Sequence, residues 1–212
     1  MKSGNKGNGE RVGAADALPR ERRQPAVGSR RFRPSTGLLV ATGQERRAPL
    51  RGPLTKQTAS CCIARILVLA AEDPERAVVT YIADSTGGVA AESLVVISTM
   101  NGVRSPIVTF CRGTIGWPAA VIAAHGLKGF RAAAPGTCFS FKDLPGADPA
   151  GKTSGPGSSL SLLAETVAAD AQKRPADVLK WLKEGAVFSA EEALRNGLID
   201  SISANPVLPP RG

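Results

Sequence analysis

Two short apolar runs, at residues 78–83 and 106–111, recur between stretches whose composition suits helices, and a third, ββα-like cycle covers residues 129–141. Runs of this length without strict alternation are the pattern of strands buried on both faces. Strands separated by helices pair in parallel, so the chain is expected to fold as an α/β domain with a parallel sheet. Helices are predicted over residues 54–71, where Pro74 sets the stop, over 90–100, and from 117 to His125. Two more are expected at 160–172 and 176–184. A last short helix opens on the capping box of Ser189 and Glu192 and ends at Gly197. A first strand is predicted at 38–41. The charged stretch after it, with Arg46, Arg47, Pro49, Arg51 and Pro53, reads as a connection that proline keeps out of helix. Loops are expected at 84–88, 113–116 and 142–158.

The charge of this chain is unevenly placed. Residues 1–56 hold 13 Lys and Arg against 4 Asp and Glu, which accounts for the whole net charge of +9; residues 57–212 hold 14 of each. The organisation expected is a disordered basic arm at 1–35, a folded domain at 36–203 and a C-terminal tail at 204–212. The arm is expected to be a solvated tail, and no contact with nucleic acid is expected except through it, because the body is neutral and aromatics make up only 4% of the chain, too few for a base-stacking platform. No apolar run approaches the roughly 18 residues of a membrane-spanning helix. The N-terminus lacks the apolar core of a secretory signal, and Cys61, Cys62, Cys111 and Cys138 show no CxxC spacing. A cytoplasmic protein with reduced, mostly buried thiols and neither metal nor cofactor is the expectation.

Five segments then carry a resemblance. Residues 70–75 (Ala-Ala-Glu-Asp-Pro-Glu), 81–88 ending in Gly87-Gly88, and Cys111-Arg112-Gly113 come first. Gly126-Leu127-Lys128-Gly129-Phe130-Arg131 with Pro135 follows, and then Phe188-Ser189-Ala190-Glu191-Glu192-Ala193 with Asn196-Gly197-Leu198-Ile199-Asp200. In this order they resemble the proteolytic subunit of the ATP-dependent Clp protease, the ClpP family, over about residues 54–203. The resemblance implies a crotonase-like stack of ββα units. It also implies assembly into rings with ClpP-family subunits, homo- or hetero-oligomeric, enclosing Ser-His-Asp sites and served by a Clp ATPase.

Carried across by position, the site is altered throughout. The nucleophilic serine falls on Trp117, whose indole has no nucleophilic oxygen. The general base falls on Lys142, and the orienting aspartate on Gly185, with Glu184 one residue away. Of the two oxyanion donors, Gly88 keeps its N–H in the loop Ser85-Thr86-Gly87-Gly88, while Pro118 has none to give. A degenerate, non-catalytic ring subunit is therefore expected. The alternatives are an active serine endopeptidase with a rearranged site, including a Ser140 or Ser85 dyad with Lys142, and a signal-peptide-peptidase-like or acyl-CoA-binding relative suggested by residues 134–137. His125 lies eight residues beyond Trp117, about 12 Å along a helix, and reads as a helix-end residue. The basic arm does not match the family's axial hairpin, which meets the ATPase. The segment between Lys142 and Ser189 is shorter than the family's handle, which bears on double-ring assembly.

Overall fold

A computed structural model describes residues 46–142 and 159–210. The order of elements is β1 (Arg47–Arg51), α1 (Lys56–Glu72), β2 (Val78–Ser85), α2 (Ala90–Gly102), β3 (Ile107–Gly116), α3 (Trp117–Ala124), β4 (Arg131–Ala133), β5 (Cys138–Ser140), α4 (Ser159–Ala171), α5 (Pro175–Glu184), β6 (Val187–Ser189), α6 (Ala190–Arg195) and β7 (Ser201–Ile202). The sheet runs β1-β2-β3-β4-β7, all parallel, as the apolar runs predicted. The strand predicted at 38–41, the basic arm and most of the 142–158 loop lie outside the described residues.

Helix α1 shows how sequence becomes element. Thr55 caps it reciprocally with Thr58, and its buried stripe is Ala59, Cys62, Ile66, Leu69 and Ala70. Full burial of Ile66 or Leu69 contributes roughly 1.5–3 kcal/mol each. At the other end, the Arg46 guanidinium donates to the carbonyls of Leu69 (2.7 Å) and Asp73 (2.8 Å). It thus satisfies acceptors that the last helical turn leaves open. Helix α3 is buried along its entire length, so the sheet and its covering helices enclose it. A second, smaller cluster (Val79, Val108, Phe110, Ala132 and Ala134, with Val207 packed on it) fills the opposite face of the sheet.

Several expectations are corrected. The charged stretch read as a connection is strand β1. Ala48 and Leu50 are buried while Pro49 and Arg51 are exposed and Arg47 is half-buried. Parallel pairing with β2 uses the backbone of alternate residues, as in Val79 N–H to the Arg46 carbonyl, so the missing N–H of Pro49 falls on the unpaired side. The expected loop at 113–116 is the second half of β3. Gly113 (φ +77) bends the strand where a Cβ would collide with the Asp84 side chain. Residues 114–116 then pair with β5. Of the ββα-like cycle expected at 129–141 both strands form, β4 and β5, but no helix does within it, and β6 joins β5 in antiparallel fashion. Cys62 and Cys111 are buried, but Cys61 is exposed on the outer side of α1 and Cys138 is intermediate.

Candidate functional site

The C-terminal ends of β3 and β5 lie side by side, with Gly116 opposite Ser140 in the register. Trp117 therefore leaves β3 beside the point where Phe141 and Lys142 leave β5. Gly116 is required here, because a Cβ would stand 2.9 Å from the Gly87 nitrogen and 3.0 Å from the Thr86 carbonyl carbon. The 85–88 loop is thereby pressed against the start of α3. Leu54 anchors that loop from the other side, donating to the Gly87 carbonyl (2.7 Å) and accepting from the Val89 N–H (2.7 Å). In a parallel bridge of this form the N–H of Gly88 itself faces away from Leu54. A Cβ at Gly88, whose φ is +119, would overlap the Leu54 backbone.

Trp117 is 2% exposed and belongs to the main core. Its indole Nε1 has no acceptor among the described residues, and the hydroxyl of Ser85, equally buried, has no partner either. Pro118 sits in the first turn of α3, where a missing N–H costs no helical bond. Its carbonyl accepts from the Ser93 hydroxyl at 2.7 Å, tying α3 to α2.

Lys142 is exposed, as expected of a solvated residue. Gly185 ends α5 in the left-handed conformation (φ +60, ψ +43), and a Cβ there would lie 3.2 Å from Lys142 Cγ. The Phe141 N–H donates to the Ala186 carbonyl at 2.8 Å, which holds the two segments together. Phe141, Trp181 and Phe188 pack edge to face beside them, with ring centroids 5.2–5.6 Å apart. The structure thus gathers Trp117, Pro118, Lys142, Gly185 and the Gly88 loop at one end of the sheet. Among the described residues, neither Ser85 nor Ser140 takes a hydrogen bond from the Lys142 ammonium; the Ser140 hydroxyl accepts only the Lys142 backbone N–H, at 3.4 Å.

His125 caps the C-terminus of α3. Its Nδ1 lies 2.8 Å from Asp170 Oδ2 and its Nε2 lies 3.0 Å from Asn101 Oδ1. A histidine–carboxylate pair is present, but the nitrogen that would receive a nucleophile's proton faces an amide.

Sequence reasoning quoted Arg131 and Asp200 in separate motifs, and the structure joins them. Arg131 is 3% exposed and grips Asp200 with two of its three guanidinium nitrogens, Nε to Oδ2 at 2.8 Å and Nη2 to Oδ1 at 2.6 Å. The N–H groups of Gly129 and Arg131 also point at Oδ2 (2.7 and 3.1 Å). The third arm, Nη1, donates to the carbonyls of Ala124 and Asp170 (2.9 and 3.1 Å). Burial would raise the Asp200 carboxyl, but the Arg131 side chain and the two N–H donors outweigh it and hold the group below its ordinary range. Only the presence of both motifs hinted at this pairing, because 69 residues separate its partners.

Comparison with known proteins adds two findings. The description "Clp protease" attaches to a family that matches residues 37–142, half of the chain. That stretch contains Gly88, Trp117 and Pro118, reaches Lys142 and stops short of Gly185. The fold is similar to the crystal structure of the ClpP protease catalytic domain from Plasmodium falciparum. The TM-score is 0.66 at 24% sequence identity, covering 76% of this chain and 87% of that one.

Proposed function

Because the chain belongs to the Clp protease family, we propose that it is a member without peptidase activity, serving as a structural subunit in an oligomer with ClpP-family partners. The observation that carries this reading is Trp117. By the resemblance it stands where the family has its nucleophile, and it is a buried indole packed into the core. Three further features support the same reading. By the resemblance Lys142 occupies the general-base position, and among the described residues no serine hydroxyl is bonded to its ammonium. Gly185 offers no side chain to orient a base, and the backbone there serves to end α5. Pro118 lacks the N–H that would be the second oxyanion donor, so even an acyl-CoA-type reaction on this scaffold would keep only the Gly88 amide.

The His125–Asp170 pair does not rescue a rearranged peptidase, since its free nitrogen is directed at Asn101. No helix among the described residues is long and apolar enough to cross a membrane. The test has two parts. Labelling of the purified chain with a fluorophosphonate should fail, and native mass analysis of the tagged protein should find it with catalytic ClpP-family subunits. Stoichiometric labelling of any serine would overturn the inactive reading. Purification as a lone small oligomer would overturn the subunit role.

A further inference from the structure

Strand β1 pairs only with β2 among the described residues, and its alternation sends Arg47, Pro49 and Arg51 away from the face that buries Ala48 and Leu50. Pro49 lies opposite Tyr81 in the β1–β2 register. The Arg47 guanidinium stands over the Tyr81 ring, 5.0 Å from its centroid, and the other neighbour of that ring is Phe110 at 5.4 Å. From α1, Arg65 reaches across the edge and donates Nε to the Arg47 carbonyl at 3.3 Å. With the exposed Cys61, these side chains line an open cleft of about 620 Å³. That volume falls within the roughly 300–1,000 Å³ of small-ligand sites.

The electrostatics of the cleft are one-sided. Among the described residues, its lining brings three guanidinium groups and no carboxylate. Among the described residues, neither Arg47 nor Arg51 is ion-paired. Arg47 Nε is out of solvent and has no acceptor there. Guanidinium groups without a carboxylate partner keep unmet hydrogen-bonding capacity, which an anion would satisfy. Guanidinium forks match the tetrahedral oxygens of phosphate, and the two that β1 presents, Arg47 and Arg51, suit a ligand with several charged oxygens.

We propose that this cleft binds a phosphate-bearing small ligand carrying two or more negative charges. The site lies on β1, α1 and β2 and does not depend on whether the Trp117 region is catalytic. Cys61 provides the local readout, because its alkylation reports on the cleft itself, whereas total polyphosphate uptake would also count the basic residues of the N-terminal segment. The full chain is treated with neutral iodoacetamide, with and without pyrophosphate or ATP, and Cys61 alkylation is followed by peptide mass analysis. Either probe should slow Cys61 alkylation in a saturable way. In Arg51→Gln, an exposed position where folding is not at stake, the concentration needed should rise about tenfold. Arg47→Gln should behave in the same direction.

Pyrophosphate alone sufficing would place recognition in the phosphates. A response to ATP only would add a contact to the nucleoside; both results support the site. Unaltered alkylation at millimolar pyrophosphate and ATP would overturn it and leave the arginines as charges that blunt a sheet edge. Protection that survives both substitutions, or that poly-glutamate provides and phosphate does not, would overturn it equally.

Discussion

At the scale of single residues, the indole at position 117 both lacks a nucleophilic oxygen and occupies core volume. Trp117→Ser should therefore lower stability by about 3–5 kcal/mol, the range for truncating a large buried aromatic. It should produce no hydrolysis of fluorogenic peptides, because Pro118 still withholds an N–H and His125 still faces Asn101. Urea unfolding and a peptidase assay check both halves; hydrolysis by the variant would mean that Trp117 alone silences the site and that Pro118 and the missing base are no bar. The thiols make a second residue-scale test. Burial, with a smaller contribution from neighbouring Cys61, pushes the Cys62 thiol up to about 12, and burial raises Cys111 as well. At pH 8 a maleimide should modify Cys61 first in the native protein and reach Cys62 and Cys111 only after unfolding. Equal rates at Cys61 and Cys62 would mean that α1 does not keep Cys62 inside.

At the scale of elements, the Arg131–Asp200 clamp joins β4 to the turn before β7 and, through the Ala124 and Asp170 carbonyls, to the ends of α3 and α4. Asp200→Asn leaves a buried guanidinium without its counter-charge and should cost about 3–5 kcal/mol in chemical denaturation. The pH dependence follows from the direction of the shift. Folding holds the Asp200 carboxyl below its ordinary 3.8, so near and below that pH the unfolded chain binds more protons and stability rises with pH. The contribution is complete above the unfolded value and is lost as pH falls through the folded one. An acid titration of stability should show this loss in the natural chain and a shallower slope in Asp200→Asn; identical slopes would remove Asp200 from the account. The clamp also marks a limit of sequence reading. The Ser189–Glu192 box, three residues apart, was legible because both halves of its chemistry are local. Arg131 and Asp200 were visible only as motif letters, since a lone Arg and a lone Asp are also what a solvated surface contains. Strand β1 was misread for a related reason: an edge strand buries one face only, and Arg and Pro on its open side mask the two apolar residues that define it.

At the scale of the whole molecule, the parallel order of the main sheet was legible because continuous apolar runs require cover on both faces. The gathering of Trp117, Lys142 and Gly185 at one end came only through the resemblance, since those residue types share no chemistry that would group them. Assembly is the property left for the molecule to display. Leu67 and Val68 on α1 are 49% and 50% exposed, and Val95 on α2, packed beside α1, is 49% exposed. Apolar side chains open to water on two adjacent helices suit a surface that another subunit covers. Leu67→Glu and Val68→Glu should leave the fold within about 0.5 kcal/mol of the natural chain, as substitutions at exposed positions do. A carboxylate buried unpaired at a subunit contact would by contrast be strongly unfavourable, so the assembly should shift to smaller species. Native mass analysis of the two variants beside the natural chain decides between these cases. A large assembly that shrinks in both variants supports the subunit role, whereas one that ignores them places the contact elsewhere. A natural chain that is already monomeric at every concentration would remove the oligomer from the proposed function.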